Sequence, residues 1–535
     1  MNKRLLAFLL LSCLVASVVV GCTPKKPGKV LKGEIVYGMV GDPVIFNPIL
    51  ATDTPSGNIN TRVYQGLVRS NEKLEMVPYL AKSITYSDDG KTWTVKLNEG
   101  VKWHDGEPFT AEDVKFTYDT IMHPDYTGVR KSNFSSVESV EITGELDLIL
   151  HLKKPDASLL SKLNIGIIPK HIFGEIEVAK LREHPANMEP IGTGPYKWGE
   201  WAKGQYIALV ANEDYWGEGP WIQQVRYKFY QDNQVMLSAF EAGEIDYMGS
   251  IPPDDVERVK TALESDYHFY NFPANGYTYF GLMQTHPILG EKAIRQALAY
   301  GLDRQKIVDT IYQGYATVLN TNMPPISWAY KEGLNNYAYN KQKAIQLLEE
   351  AGWDKVGSDG IRLKDGKPLS FTLVTASGNT QYEAVLAVTQ EQWKEIGVDV
   401  KVEYYEWSVL VEKYLDAGKF EAYMLAWSLG LDPDCYLFWH SSAGYDEEGL
   451  LQGFNDCAYY NDRMDELLEQ GRVTMDQEER KKIYGEVQTM LNEDLPNLFL
   501  YTQNFVTGMH KKFGGVVMSP IGPIFPELWY IEEGK

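Results

Sequence analysis

Asp89-Gly90-Lys91-Thr92 carries the Gly-Lys-Thr end of a phosphate-cradling loop, whose backbone N–H groups and lysine would hold a nucleotide's phosphates. Position 85 is Thr, so the leading glycine of that loop is missing and a hairpin turn is the better reading. The nine histidines are scattered, with no pair at helical ligand spacing, no His-Glu-x-x-His and no Cys-x-x-Cys, so no zinc site is expected. A Gly-x-Ser-x-Gly nucleophile elbow is also missing. Gly192-Thr193-Gly194-Pro195 resembles a nucleotide loop only on its surface, because Pro195 and Tyr196 lead into a strand rather than a helix. A tight turn is expected there. Carboxylates are everywhere in this chain, and the sequence singles out no pair as general acid and base. None of the standard catalytic constellations is present, and the elements that would position any site come next.

Glu34 to Val40 alternates Ile35, Tyr37 and Met39 on one side, which predicts an opening strand turned by Gly41-Asp42-Pro43. Ile84 to Leu97 reads as two alternating runs about Asp89-Gly90, a hairpin. Thr110 precedes Ala111-Glu112-Asp113 and an apolar series through Val114, Tyr118 and Ile121, a capped helix. Tyr206 to Val210 and Val225 to Tyr230 are predicted strands. Near residue 285 the character changes, and longer helices alternate with strands: 291–301, a helix capped by Asn340 and stopped at Gly352, 380–396 ended by Gly397, a strand through Val398, Val400 and Val402, a strand over 420–427 and a helix over 476–492. The order is α/β throughout.

A length of 535 residues exceeds what one core normally holds, about 250 to 300 residues, so at least two lobes are expected. The 73 acidic against 51 basic residues give a formal charge of -22, which repels a phosphate backbone and argues against nucleic-acid binding. The 34 Tyr and 13 Trp suit the walls of a ligand cleft, with large cores as the plain alternative. At the N-terminus Lys3 and Arg4 precede an uncharged run from Leu5 to Val20, shorter than the roughly 20 residues of a spanning helix, and this reads as an export signal over 1–21. It closes on Val19-Val20-Gly21-Cys22, which resembles a bacterial lipobox and makes Cys22 the expected lipidation site. Residues 22–33 then read as a flexible tether. With Cys13 in the leader and Cys22 lipidated, Cys435 and Cys457 remain, either as a disulfide or as free buried thiols.

A set of colinear blocks adds to this reading. They include Val63-Tyr-Gln-Gly-Leu67, Pro78-Tyr-Leu-Ala81, Gly90-Lys-Thr-Trp93, Gly100-Val-Lys-Trp-His-Asp-Gly106, Phe109-Thr-Ala-Glu-Asp-Val114, Gly192-Thr-Gly-Pro-Tyr196, Asn212-Glu-Asp-Tyr-Trp216, Gly243-Glu-Ile-Asp246 and Ile294-Arg-Gln-Ala-Leu298. In this order the chain resembles the extracellular solute-binding proteins of family 5, the peptide-binding subunits of ABC importers, from about residue 34 onward. The resemblance implies a two-lobed periplasmic-binding-protein-like fold (type II, cluster C). Lobe one would span 34–283 with an extra subdomain at about 66–189, lobe two 284–503, and 504–535 would return to lobe one. Tyr277 to Gln284 and Leu498 to Asn504 would be the crossovers.

By the same resemblance an extended peptide would lie between Phe46-Asn47-Pro48 and Trp427-Ser428-Leu429-Gly430 as an added strand. Trp407 matches a second aromatic position. Core packing is the alternative for Trp407 and Trp427, and a turn cap before Pro48 for Asn47. Relatives that clamp a peptide ammonium have an aspartate three residues after the tryptophan. Gly430 stands there, leaving Asp432 and Asp434 as substitutes. His440 is a structural residue or, less plainly, a metal ligand. The implied protein is no enzyme, needs no cofactor or resident metal, is monomeric, and hands an oligopeptide to separate permease and ATPase chains from a lipid anchor outside the cell membrane. An oligosaccharide receptor of the same fold is the alternative, and a secreted hydrolase the reading from another class.

Overall fold

The computed structural model describes residues 30–128 and 130–532. The export signal and Cys22 lie outside the described residues. Twelve strands form one main sheet: β1 (Glu34–Val40), β2 (Tyr196–Ala202), β3 (Tyr206–Ala211), β4 (Gln224–Tyr230), β5 (Tyr247–Ile251), β6 (Tyr267–Pro273), β7 (Gly276–Leu282), β8 (Ala316–Val318), β9 (Ser370–Ala376), β10 (Asp399–Tyr405), β11 (Ala422–Ser428) and β12 (Asn497–His510). Their spatial order is β10-β9-β11-β7-β12-β5-β1-β4-β3-β2, with β6 and β8 also on β12. β1–β5 lie on one half of this sheet and β7–β11 on the other, so β12 is where two α/β halves join.

The packing follows the same division. One core gathers Ile35, Tyr37, Ile59, Trp93, Tyr118, Leu150, Ile207, Val225 and Trp529, and a second gathers Phe280, Leu298, Ile307, Leu373, Trp393, Val398 and Leu500. A four-stranded sheet, ordered Ala81–Tyr86, Thr92–Leu97, Asp147–Leu152, Val137–Ile142, packs into the first core. Its first two strands are the expected hairpin, and Gly90 takes the positive φ of 67° that its turn requires.

The local signals explain the helices. Asp53 accepts from the Ser56 N–H at 2.8 Å and starts α1 (Thr54–Val63), with Pro55 in its first turn. Thr110 and Asp113 form a full capping box ahead of the helix Ala111–Met122, which buries Val114, Tyr118 and Ile121. The helix Thr380–Glu395 ends before Gly397, whose φ of 88° turns the chain straight into β10.

The turn expected at Gly192-Thr-Gly-Pro is set by close approach to the end of α1. A Cβ on Gly192 would fall 1.9 Å from the Val63 carbonyl oxygen. His104 pins this turn from the other side. Its Nε2 donates to the Gly194 carbonyl at 2.9 Å, and its Nδ1 accepts from the Gly192 N–H at 3.2 Å. Both ring nitrogens are therefore matched only in the neutral tautomer, and burial pushes the imidazole down from 6.5 to about 4. A depressed folded-state value means that His104 supports the fold fully above pH 6.5, and that this support is lost as pH falls from 6.5 toward 4. Denaturant titrations should show wild-type protein losing about 3 kcal/mol more stability between pH 7 and 4 than His104→Gln does; parallel losses would exclude this role.

Candidate functional site

Two adjoining cavities lie between the halves, which we call lobe one (the β1–β5 half) and lobe two (the β7–β11 half). The larger, about 530 Å³, is walled in lobe one by Tyr37, Arg62, Tyr64, Tyr227, Tyr247 and the tail Ile521–Glu527. Leu431 is the lobe-two residue facing it. The second, about 300 Å³, sits between Leu74, Met76, Ile84 and Trp93 on one side and Trp328, Leu431, Met475 and Arg480 on the other. Leu431 borders both. Beyond them the lobes touch: the Ala157 N–H donates to the Arg472 carbonyl at 2.8 Å, and Met475 packs against the lobe-one core.

On the lobe-two side the notable feature is an unfinished ladder. β11 pairs with β7 along its whole length, Gly276 with Ser428 through Leu282 with Ala422. On its other edge β9 covers only Ala422 to Met424. Thr375 Oγ1 donates to the Met424 carbonyl at 2.9 Å, which fixes the side that Met424 faces. Backbone groups alternate along a strand, so Ala426 and Ser428 aim their N–H and C=O at the edge β9 has left. Both are exposed, and no other described strand pairs with them. Leu429 has the opposite phase and donates its N–H to the Asn275 carbonyl at 2.8 Å. Asn275 Nδ2 in turn holds the carbonyls of Leu429 and Gly430, at 2.9 and 3.0 Å.

The other expected site residues divide sharply. Trp427 is half-buried, its ring against Phe438 and Phe454 at 5.0 and 4.9 Å. Trp407 stands 57% exposed at the start of a short helix after β10. Phe46 and Asn47 are both fully buried. Phe46 packs on Trp198 and Trp201, while Asn47 Nδ2 donates to Asn187 Oδ1 at 2.9 Å and Asn47 Oδ1 accepts from the Ile49 N–H at 3.1 Å. Their side chains build the wall rather than face the cleft, and Asn47 has the turn-cap role that was its alternative.

Asp432 and Asp434 are already engaged. Asp432 receives Arg480 through both oxygens, at 2.9 and 2.7 Å, and Arg472 Nε reaches Asp434 at 2.9 Å. Neither is a spare counter-charge for a ligand ammonium. Cys435 and Cys457 are free and buried rather than bridged, and Cys457 Sγ instead lies 3.4 Å from Asn497 Oδ1. Burial pushes both thiols up, so neither is a poised thiolate. His440 stacks on Tyr436 at 4.0 Å, and its Nδ1 accepts from the Ser442 N–H at 3.0 Å. Among the described residues no group of three or more His, Cys, Asp or Glu is placed to hold a metal.

Sequence reasoning missed the lobe-one wall. Tyr37 stacks on Tyr227 at 4.9 Å and meets Tyr247 edge-on at 5.2 Å. Over this aromatic set lies Arg62, 9% exposed, with one terminal nitrogen 3.5 Å from the Tyr37 hydroxyl and its Nε without a partner. Arg69 is held differently, donating to Glu527 at 2.6 Å between the rings of Tyr79 and Phe525.

The family model for bacterial extracellular solute-binding proteins, family 5 (Middle), matches residues 75–448. The oligopeptide-binding protein AppA of Bacillus subtilis is 35% identical over 98% of this chain and 97% of its own. The solved structure of that protein in complex with a nonapeptide superposes with a TM-score of 0.72 over 95% of this chain and 100% of that one. The ABC transporter substrate-binding protein CtaP of Listeria monocytogenes is 29% identical, with a TM-score of 0.79 over 94% and 99%. NikZ of Campylobacter jejuni, solved with Ni(L-His), is 28% identical, with a TM-score of 0.72 over 94% and 100%.

The Asp432–Arg480 pair borders the cleft and is itself buried. Removing one partner strands the other charge, so Arg480→Met is expected to cost about 3 to 5 kcal/mol in a guanidinium melt. A loss below about 1 kcal/mol would place the pair among solvated surface contacts.

Proposed function

The chain belongs to the bacterial extracellular solute-binding proteins of family 5, which bind solutes and are not enzymes, and we propose that it captures oligopeptides between its lobes. The peptide lies extended along β11 as an added strand. The observation that carries this reading is the free edge of Ala426 and Ser428, two exposed residues whose N–H and C=O groups lack a strand partner among the described residues. Every peptide supplies the matching backbone groups whatever its sequence. The chain leaving β11 runs on to Leu431, which borders both cavities. AppA, solved with a nonapeptide, supports the same ligand class.

Residues 22–33 would tether the protein through a lipid on Cys22 to the outer face of the cell membrane, with separate permease and ATPase chains receiving the peptide. The division into 34–283, 284–503 and 504–535 is retained as the proposed lobe assignment, with β12 as the return path. The oligosaccharide alternative has the tyrosines of the larger cavity in its favour, but leaves the open strand edge unused.

Mass spectrometry of what the purified protein releases on denaturation is expected to find peptides of mixed sequence; sugars or a metal complex in their place would overturn the assignment. Proline is tolerated on a strand edge where its missing N–H faces outward. Ala426→Pro should therefore keep the melting temperature while weakening binding of the recovered peptides about tenfold or more, the value of one to two backbone hydrogen bonds that cannot be replaced. Unchanged affinity in calorimetry would remove strand addition from the account.

A further inference from the structure

Arg62 poses a problem that the strand edge does not solve. It sits nine-tenths buried in the wall of the larger cavity, and the titratable groups acting on it are the tyrosines Tyr37, Tyr196 and Tyr227 rather than a carboxylate. Burial keeps those hydroxyls protonated, so they supply dipoles and ring faces but no negative charge. A desolvated cation without a counter-charge is costly, and proteins pair such groups. Its place in the last turn of α1 gives it the favourable end of the helix dipole, which offsets only part of that cost.

The rest of the cavity sharpens the point. Of the side chains lining it, the charged ones are Arg62, Arg69 and Glu527, and the last two neutralise one another. One positive charge is left over, facing the cavity of a protein whose formal charge is -22. A guanidinium whose Nε has no partner and whose terminal nitrogen is 3.5 Å from the Tyr37 hydroxyl has donor capacity for the oxygens of a carboxylate. On the opposite lobe Asp432 and Asp434, which could have received an ammonium, are taken up by Arg480 and Arg472.

We propose that the lobe-one pocket receives a carboxylate of the captured ligand, with Arg62 as its charge partner. This deepens the peptide reading and rests on it: the site selects an acidic group on the peptide, either its C-terminal carboxylate or an Asp or Glu side chain, and is indifferent to its N-terminal ammonium.

Equilibrium dialysis against pools of nonapeptides, randomised over neutral residues and read by mass spectrometry, tests this on wild-type protein. Amidating the C-terminus should weaken retention about tenfold, the value of a charge-assisted hydrogen bond, while N-acetylation should leave it unchanged. An amidated pool carrying one Glu separates the two sources. Recovery of binding assigns the pocket to side-chain carboxylates as well as the terminus, and no recovery assigns it to the terminus alone. In Arg62→Gln the difference between free and amidated pools should vanish, and Arg62→Lys should retain most of it. Equal retention of free, amidated and Glu-bearing pools by the wild type would overturn the carboxylate pocket and leave peptide capture standing. Retention of none would overturn both. The wild-type comparison decides the matter even where a variant does not fold.

Discussion

One strand belongs to both lobes. The first half of β12, Asn497 to Gln503, is bonded to β7 and β8, and its second half, Asn504 to His510, to β6 and β5. β6 and β7 run one after the other along it, so the chain passes from lobe one to lobe two and returns beside itself, antiparallel. At the changeover the Ala274 N–H donates to the Gln503 carbonyl at 2.7 Å, and Thr502 Oγ1 donates to the Ala274 carbonyl at 3.0 Å. Breaking this ladder would leave buried backbone groups without partners, which is expensive. The lobes are therefore held together on this side by a continuous backbone ladder. On the far side the Ala157–Arg472 hydrogen bond and the Met475 contact are few and individually small. A continuous spine on one side with sparse contacts on the other is the geometry that hinge closure around a ligand requires.

The same economy of backbone bonding explains the cleft. A sheet that ended with every strand paired would offer a peptide nothing but side chains. β9 instead covers three residues of β11 and then diverges to pair onward with β10, up to Ala376 with Tyr405. The exposed stretch is short, which limits the self-association that a long free edge invites. Backbone capture gives affinity without sequence preference, and the charged and aromatic lobe-one wall is where preference can be added.

Much of the framework was legible from residue order. Thr110 with Asp113, Asp89-Gly90, Asn340 and Gly397 each fixed an element end through a local mechanism, and local mechanisms are visible in one dimension. The change in character near residue 285 reflects the passage into the second half of the sheet. The site was far less legible. Tyr37, Arg62, Tyr227 and Tyr247 come from four segments that meet only because β5, β1 and β4 are neighbours and α1 packs beside them, a consequence of sheet order that no spacing encodes. The arginines that occupy Asp432 and Asp434 lie 48 and 38 residues further along the chain. Phe46 and Asn47 were placed in the cleft by resemblance of the segment, yet their side chains turn into the core, because a wall residue and a lining residue can be adjacent on the same loop. Cys435 and Cys457 looked pairable only because they were the two left over.

The central claim is that ligand backbone completes the ladder which β9 leaves unfinished. Hydrogen–deuterium exchange resolved to single amides, with and without the peptides recovered from the protein, addresses it directly. The account predicts that the amides of Ala426 and Ser428 exchange much more slowly in the bound protein, while those of Tyr423 and Leu425, already committed to β7, change little. Fast exchange at Ala426 and Ser428 under saturating peptide would contradict it, and would move the binding mode from the strand edge to the side chains of the cleft.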